Sequence, residues 1–299
     1  MLPTPDTSHV SYNRVYEPAE DSFLLLDTLS SPSETAFLQC RFNAIQDHIS
    51  TGIQAQGVAP HTRSPAASSP PFVVEVGSGS GVVIAFLTAH ARTIFGPSAS
   101  SSSSLPPILS AAVDVNRFAC AATTTTVHKA VATAGSGLQK GEFPGCGLFL
   151  GAVQADLLGP LRPGIVDVLV FNPPYVPTPD LPALPTPVDG SAKPSFDEES
   201  HLLALSYAGG RDGMETTDRL LEALPRALSP LGVAYVLLCA QNRPEEVKRR
   251  ICEGSYGFGA GGGWRAETVG ESGRKAGWEK LQIVRIWKDA DGQVEEGLL

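Results

Sequence analysis

The residues best suited to do chemistry are Asn172-Pro173-Pro174-Tyr175, which follow the apolar run Val168-Leu169-Val170-Phe171. Two prolines alone mean little more than a rigid exit from a strand, since Pro-Pro stops helix and ladder alike. Flanked by a strand and an aromatic ring, they suit a planar nitrogen. An amide nitrogen is a poor nucleophile because its lone pair is delocalised into the carbonyl. The Asn172 side-chain oxygen can accept one N–H and the Pro173 carbonyl the other, which aims the lone pair at an electrophile. Pro174 stiffens the turn and Tyr175 can stack on the flat group. This is catalysis by positioning and electrostatics. It needs no strong base beforehand, because the alkylated nitrogen becomes acidic and loses its proton afterwards.

The electrophile's binding site reads from Glu75-Val76-Gly77-Ser78-Gly79-Ser80-Gly81. Gly77, Gly79 and Gly81 let the backbone turn tightly beside a ligand. A dinucleotide loop needs glycine at its first, third and sixth positions, and the sixth here is Val82. Glu75 opposes a pyrophosphate and suits the ammonium of a methionine moiety. Asp114 closes the next apolar run, where a carboxylate can accept from both ribose hydroxyls. Asp156 follows the third run and can take the adenine amino group, with Leu157 packed on the ring. Each acid also has an ordinary reading as a helix cap or loop carboxylate. Their order after three successive strands points to one site at the carboxyl ends of a sheet. The ligand that fits is S-adenosylmethionine, and the chemistry is N-methylation.

Those residues must be held by a sheet. Phe72–Val76 reads as a buried parallel strand, and Ile108–Asp114, Leu148–Gln154, Ile165–Phe171 and Gly232–Ala240 read as further strands. Helices are expected over Glu20–Leu29, after Pro32 (stripe Phe37, Leu38, Phe42, Ile45, Ile49), Gly81–Ala91, Arg117–Thr133, Met214–Leu228 and Pro244–Cys252. Thr123–Thr126 disfavour helix locally. Residues 57–71, Ser98–Ser104, 134–147 and 176–195 read as connections rich in Pro, Ser or Gly. Trp264–Val269 and Lys280–Trp287 form a closing hairpin joined by Gly270–Gly277. Alternating strands and helices make an α/β fold with helices on both faces of a parallel sheet. With its C-terminal antiparallel hairpin it matches the seven-stranded, Rossmann-like class I methyltransferase sheet. Residues 1–71 then form an N-terminal extension with helices, and 72–299 the methyltransferase domain.

Composition narrows the partners. Of 299 residues, 31 are acidic and 22 basic, a net charge of −9. That argues against tight nucleic-acid binding, which rests on Lys and Arg neutralising phosphates. Cys40, Cys120, Cys146, Cys239 and Cys252 form no C-x-x-C pair, so no metal site is expected and the thiols read as reduced. The chain shows neither a signal-peptide pattern nor an apolar run long enough for a bilayer. The expectation is a soluble protein of the cytoplasm, and of the nucleus too.

At these motifs the chain resembles the HemK-type protein glutamine N5-methyltransferases, in particular the eukaryotic branch acting on class I peptide-chain release factor. The matching residues are Val15-Tyr16-Glu17-Pro18-Ala19-Glu20-Asp21-Ser22, the Glu75–Gly81 loop, Asp114, Asp156-Leu157, Phe171–Tyr175 and Ala208–Gly213. The resemblance implies that the target is the glutamine of a Gly-Gly-Gln loop. It implies that the Tyr16–Ser22 segment lids the cofactor, with Ser22 (its alternative being a cap of the first helix) at the methionine end. Asn172 would touch cofactor and substrate, and Ala208–Gly213 would shape the substrate side. It also implies a heterodimer with a small zinc-binding methyltransferase activator protein. The apolar strand Leu148, Phe149, Leu150, Val153 is the expected docking edge.

Two other activities share the catalytic tetrapeptide. An adenine-N6 DNA methyltransferase must flip a base and grip phosphates, which the net charge opposes. Protein lysine (histone) methylation needs a deprotonated amine in a narrow channel. A non-catalytic module that merely keeps the fold would not need the full set of nitrogen-orienting and cofactor residues.

Overall fold

A computed structural model describes residues 2–43, 69–96, 105–136, 145–185, 195–259, 261–272 and 280–289. Ile45, Ile49, Ser98–Ser104 and most of the 57–71 connection lie outside the described residues, as do 137–144 and 186–194.

The chain begins with α1 (Glu20–Leu29) and α2 (Pro32–Asn43). There follow β1 (Phe72–Val76), α3 (Val82–Ala89), α4 (Ala91–Phe95), β2 (Leu109–Asp114), α5 (Arg117–Gly135), β3 (Leu148–Gln154) and β4 (Val166–Phe171). Then come α6 (Phe196–Tyr207), α7 (Glu215–Ala227), β5 (Leu228–Cys239), α8 (Pro244–Cys252), β6 (Trp264–Glu271) and β7 (Leu281–Lys288). The strands form a seven-stranded sheet in the order β3-β2-β1-β4-β5-β7-β6. The first five are parallel, and β7 lies antiparallel between β5 and β6. The expected fold is therefore the observed one, closing hairpin included.

Strand order reverses between β1 and β4, so the carboxyl ends of these two strands splay their loops into a crevice. The alternation of each strand supplies two cores. Val73, Val168, Val170, Val233 and Tyr235 face α1 to α5, whereas Val74, Leu169, Phe171, Val236 and Leu238 face α7 and α8. Every residue of β4 is buried, as a central strand covered on both faces must be.

Some boundaries differ from expectation for physical reasons. The threonine run does not interrupt α5. Thr124, Thr125 and Thr126 each donate a hydroxyl to the carbonyl four residues back, at 2.9, 3.1 and 2.9 Å. The helix read as one piece over Gly81–Ala91 breaks at His90 into α3 and α4. Strand β5 starts at Leu228 rather than Gly232, but its register against β4 jumps from Leu228 to Val233. Helix α6 has no counterpart in the sequence reading. Its signal was the capping box Ser195-x-x-Glu198, where the Ser195 hydroxyl accepts from the Glu198 amide at 3.3 Å and Glu198 accepts from the Ser195 amide at 2.6 Å.

The N-terminal helices share the sheet's core, through Leu25, Leu29 and Leu38. A buried polar knot fastens α2 there. Glu34, 2% exposed, accepts the Tyr235 hydroxyl at 2.8 Å and Arg285 Nη1 at 2.9 Å. Arg285 also lies over the Phe37 and Trp287 rings. Removing one member of such a group leaves a buried charge uncompensated. Glu34→Ala is expected to cost about 3–5 kcal/mol in chemical denaturation. A loss under about 1 kcal/mol would mean the knot is solvated.

Candidate functional site

The crevice at the β1/β4 reversal holds a cavity of about 410 Å³. Ser22, Glu75, Gly77, Gly79, Asp114, Asp156, Leu157, Asn172, Pro173, Pro174 and Tyr175 all reach its wall. The sequence thus scattered over 150 residues what the sheet gathers into one place. Gly81 stands apart, behind the wall. Its φ is +78°, and a Cβ there would press on the Thr123 backbone, so it lets α3 and α5 pack closely.

The glycine loop is tied to β2. Gly77 N–H donates to Val113 O at 2.8 Å, and Gly79 N–H to Asp114 Oδ2 at 2.9 Å. Asp114 Oδ1 accepts the Asn116 amide at 2.8 Å. Each carboxylate oxygen keeps a second lone pair for a hydroxyl donor. Asn116 in turn caps α5 and donates Nδ2 to Arg14 O at 2.7 Å, which pins the N-terminal strap to the cavity rim. Glu75 accepts the Ile84 amide at 2.9 Å, so it satisfies a first-turn donor of α3 while lining the cavity. Burial pushes Asp114 up to about 6 against its backbone hydrogen bonds. Burial also pushes Glu75 well above the usual carboxylate range, with the charge of Asp114 adding to the rise.

Asp156 is held by Arg219, a pairing the sequence reading did not contain. Leu157 follows in the left-handed region at φ +46°, which turns its side chain into the cavity wall. A non-glycine residue in that conformation stores strain of roughly 1 kcal/mol or more, and such strain clusters at functional sites.

The tetrapeptide is fixed from behind. Asn242 Nδ2 donates to Tyr175 O at 3.1 Å, to Asp212 O at 3.0 Å and to Gly213 O at 3.3 Å. The Ala208–Gly213 segment runs alongside, with Gly209 N–H on Val176 O at 2.8 Å. Gly213 (φ +69°) sits so close that any Cβ would overlap the Tyr175 carbonyl. The resemblance placed this segment on the substrate side, and it abuts the tetrapeptide.

Asn172 itself is the most telling residue. Its Nδ2 donates to Asp21 Oδ2 at 3.1 Å. Its Oδ1 is buried and finds no donor among the described residues. Buried acceptors are rarely left so, and the residue lines the cavity. Ser22, 5% exposed, lies beside it and donates both its amide (2.5 Å) and its hydroxyl (3.1 Å) to Asp21 Oδ1. Ser22 does not cap α1, whose N-cap is Ala19. The outer wall is apolar, with Leu202, Leu205 and Tyr207 from α6 and Leu181 and Leu184 from the loop after the tetrapeptide. Sequence reasoning missed this wall and Arg219, and gave Asp21 no role beyond its place in the Val15–Ser22 motif.

Among the described residues no group of His, Cys, Asp or Glu could hold a metal, and no helix is long and apolar enough to cross a membrane.

The chain is similar to known methyltransferases. Methyltransferase HEMK2 of Homo sapiens is 31% identical over 297 residues, covering 95% of this chain and 96% of its own. The chain belongs to the HemK2 methyltransferase family. The eRF1 methyltransferase catalytic subunit mtq2 of Schizosaccharomyces pombe is 32% identical over 295 residues, covering 96% of each chain. Release factor glutamine methyltransferase of Moorella thermoacetica matches more locally, 37% over 81 residues, or 27% of this chain and 25% of its own. No family model matches the chain.

The raised acid makes a test of the site in this HemK2 relative. Asp114 ordinarily titrates at 3.8 and here at about 6, so the folded state holds the extra proton between those values. Its contribution to stability is full below pH 3.8 and is lost as pH rises through about 6. The loss is on the order of 3 kcal/mol for a shift of about two units. Urea unfolding at pH 4.5 and pH 7.5 is expected to show about 2 kcal/mol of this fall in the native chain and a smaller fall in Asp114→Asn. Equal slopes in the two proteins would mean the carboxyl is solvated.

Proposed function

We propose that this protein is an S-adenosylmethionine-dependent methyltransferase that N5-methylates the glutamine of the Gly-Gly-Gln loop in class I peptide-chain release factor. The observation that carries the reading is Asn172, which lines the cavity and whose Oδ1 is buried with no donor among the described residues. A primary amide brings the N–H that this oxygen lacks.

The residues present fit the cofactor. Gly79 leaves open space where a Cβ would stand, beside Asp114, whose oxygens suit ribose hydroxyls. Glu75 and Ser22 would face the methionine end, and Asp156 and Leu157 the adenine. When bound, S-adenosylmethionine supplies an electrophilic methyl carbon on a sulfonium. The chain's own part is to bind and orient. Asn172 Oδ1 accepts one amide N–H of the glutamine, the Pro173 carbonyl accepts the other, and Tyr175 supports the planar group. The amide plane is then fixed so that the nitrogen lone pair, perpendicular to it, points toward the methyl donor. Leu184, Leu202 and Leu205 give the outer side of the cavity an apolar lining.

The names of the relatives support this choice of substrate: one is an eRF1 methyltransferase subunit and one a release factor glutamine methyltransferase. Charge opposes the DNA reading. Two arginines at the cavity, Arg14 and Arg219, are each paired with an acid, Glu199 and Asp156. Phosphate binding draws on cations free to release counterions.

We propose further that the small zinc-binding activator docks on β3. This strand is at the sheet edge. A register shift opposite Ser110/Ala111 leaves Leu148, Leu150 and Val153 exposed by 52%, 57% and 47%, while Phe149 turns inward. An apolar edge of this kind suits strand addition by another chain.

Two measurements test these proposals. Mass spectrometry of release factor incubated with enzyme, activator and labelled cofactor is expected to find the methyl group on the Gly-Gly-Gln glutamine. Asn172→Ala is expected to lower the rate by about 100-fold or more. Transfer to lysine peptides or to DNA with the glutamine untouched would reject the assignment. Leu148→Asp with Leu150→Asp is expected to abolish co-elution with the activator. Unchanged co-elution would move the docking site elsewhere.

A further inference from the structure

Asp21 is 3% exposed and sits in the first turn of α1, 151 residues from Asn172 in sequence. Its two oxygens are committed to different partners. Oδ1 takes the Ser22 amide at 2.5 Å and the Ser22 hydroxyl at 3.1 Å, and Oδ2 takes Asn172 Nδ2 at 3.1 Å. We infer that Asp21 is a positioning residue that fixes which end of the Asn172 carboxamide faces the substrate. The inference rests on the function proposed above.

The argument is one of donor and acceptor capacity. A carboxamide can present either its oxygen or its NH2 to a given direction, and the two ends differ little in shape. Only the oxygen can receive an N–H from a glutamine amide. An ionised carboxylate offers acceptors alone, so an Asn172 flipped the wrong way would set oxygen against oxygen at Asp21. Asp21 cannot turn to relieve that contact, because its other oxygen is held by a backbone amide and a hydroxyl. The correct flip is therefore enforced, and Oδ1 is left buried without a donor among the described residues. A carboxylate on the NH2 end also polarises the amide, which makes the far oxygen a stronger acceptor. A lone buried aspartate beside a cofactor site has no such directional consequence. Here it follows from the contact to Nδ2.

The test exchanges the two functional groups. In Asp21→Asn the Ser22 backbone N–H claims the single remaining oxygen, so NH2 faces Asn172. That residue must then offer its own oxygen to Asn at 21 and present NH2 to the substrate. The variant is expected to lose about 100-fold in kcat with KM for the methyl donor changed by no more than about threefold. Adding Asn172→Asp restores an acceptor on both sides of position 172. The double variant Asp21→Asn/Asn172→Asp is expected to recover about tenfold or more over Asp21→Asn. A kcat for Asp21→Asn within about threefold of the native enzyme, or a double variant no faster than the single, would overturn the inference. Calorimetric binding of S-adenosylhomocysteine checks that the variants keep a folded site. A second readout is independent of the variants' folding. In the native complex with its activator, selectively ¹⁵N-labelled asparagine should give one Asn172 Nδ2 proton that exchanges slowly with solvent. Fast exchange of both protons would also sink the idea. A native enzyme that leaves the glutamine untouched would defeat the proposed function, whereas an active native enzyme with a normal Asp21→Asn defeats only this inference.

Discussion

A polar atom buried without a partner is the constraint around which this structure is arranged. Leaving an amide oxygen dry and unbonded costs on the order of 1–3 kcal/mol. Asn172 Oδ1 is kept in that condition by the end of β4, the most enclosed strand of the sheet. If the oxygen could relax onto a neighbouring donor it would be satisfied and useless. Asp21 takes the NH2 end, and Asn242 secures the Tyr175 carbonyl just beyond. The close approach of Gly213 leaves no side chain between the tetrapeptide and the 208–213 segment. Rigidity around the atom is what preserves its unmet hydrogen-bonding capacity.

The same economy governs the acids of the glycine loop. Glu75 and Asp114 are buried and both are raised toward neutrality by desolvation, which is unfavourable for the empty fold. Each is retained because it answers a backbone donor: Ile84 for Glu75, and Gly79 with Asn116 for Asp114. These bonds shape the loop, and the remaining lone pairs face the cavity. A structural bond to the loop therefore does not preclude a ligand at these side chains, because it uses only part of each carboxylate's accepting capacity.

The parallel strands were legible in the sequence because burial on both faces leaves apolar runs such as Phe72–Val76 and Val166–Phe171 bounded by turn residues. The Asn-Pro-Pro-Tyr and glycine-loop residues were legible because their types are ill suited to anything but a tight turn. What stayed hidden depended on distant partners. Asp21 reads as an ordinary acidic residue in a helix's first turn, and only the fold brings it to Asn172. Arg219 reads as the polar face of an amphipathic helix until Asp156 is set against it. Helix α6 escaped notice because none of its residues is buried, so its apolar positions follow the cavity rather than a core. The threonines of α5 misled in the opposite sense. Their intrinsic preference was overridden by hydroxyl bonds within the helix and by packing of Thr123 and Thr126 against the glycine loop.

That the site borrows Asp21 from the N-terminal helix has a consequence for how the fold must be built. A helix that contributes a positioning group cannot slide by a fraction of a turn without releasing Asn172. Leu25 and Leu29 bury one face of α1, but apolar contact is non-directional and tolerates small shifts. Directional restraint comes from the polar contacts on either side. The Arg14 carbonyl is held by Asn116 before α1. After it, Glu34 locks α2 to Tyr235 and Arg285 on the sheet. Buried ionic groups of this sort add little net stability over a well-packed apolar substitute. Their value in this chain is registry: they set where α1 stops, and so where the Asp21 carboxylate meets the amide it must orient.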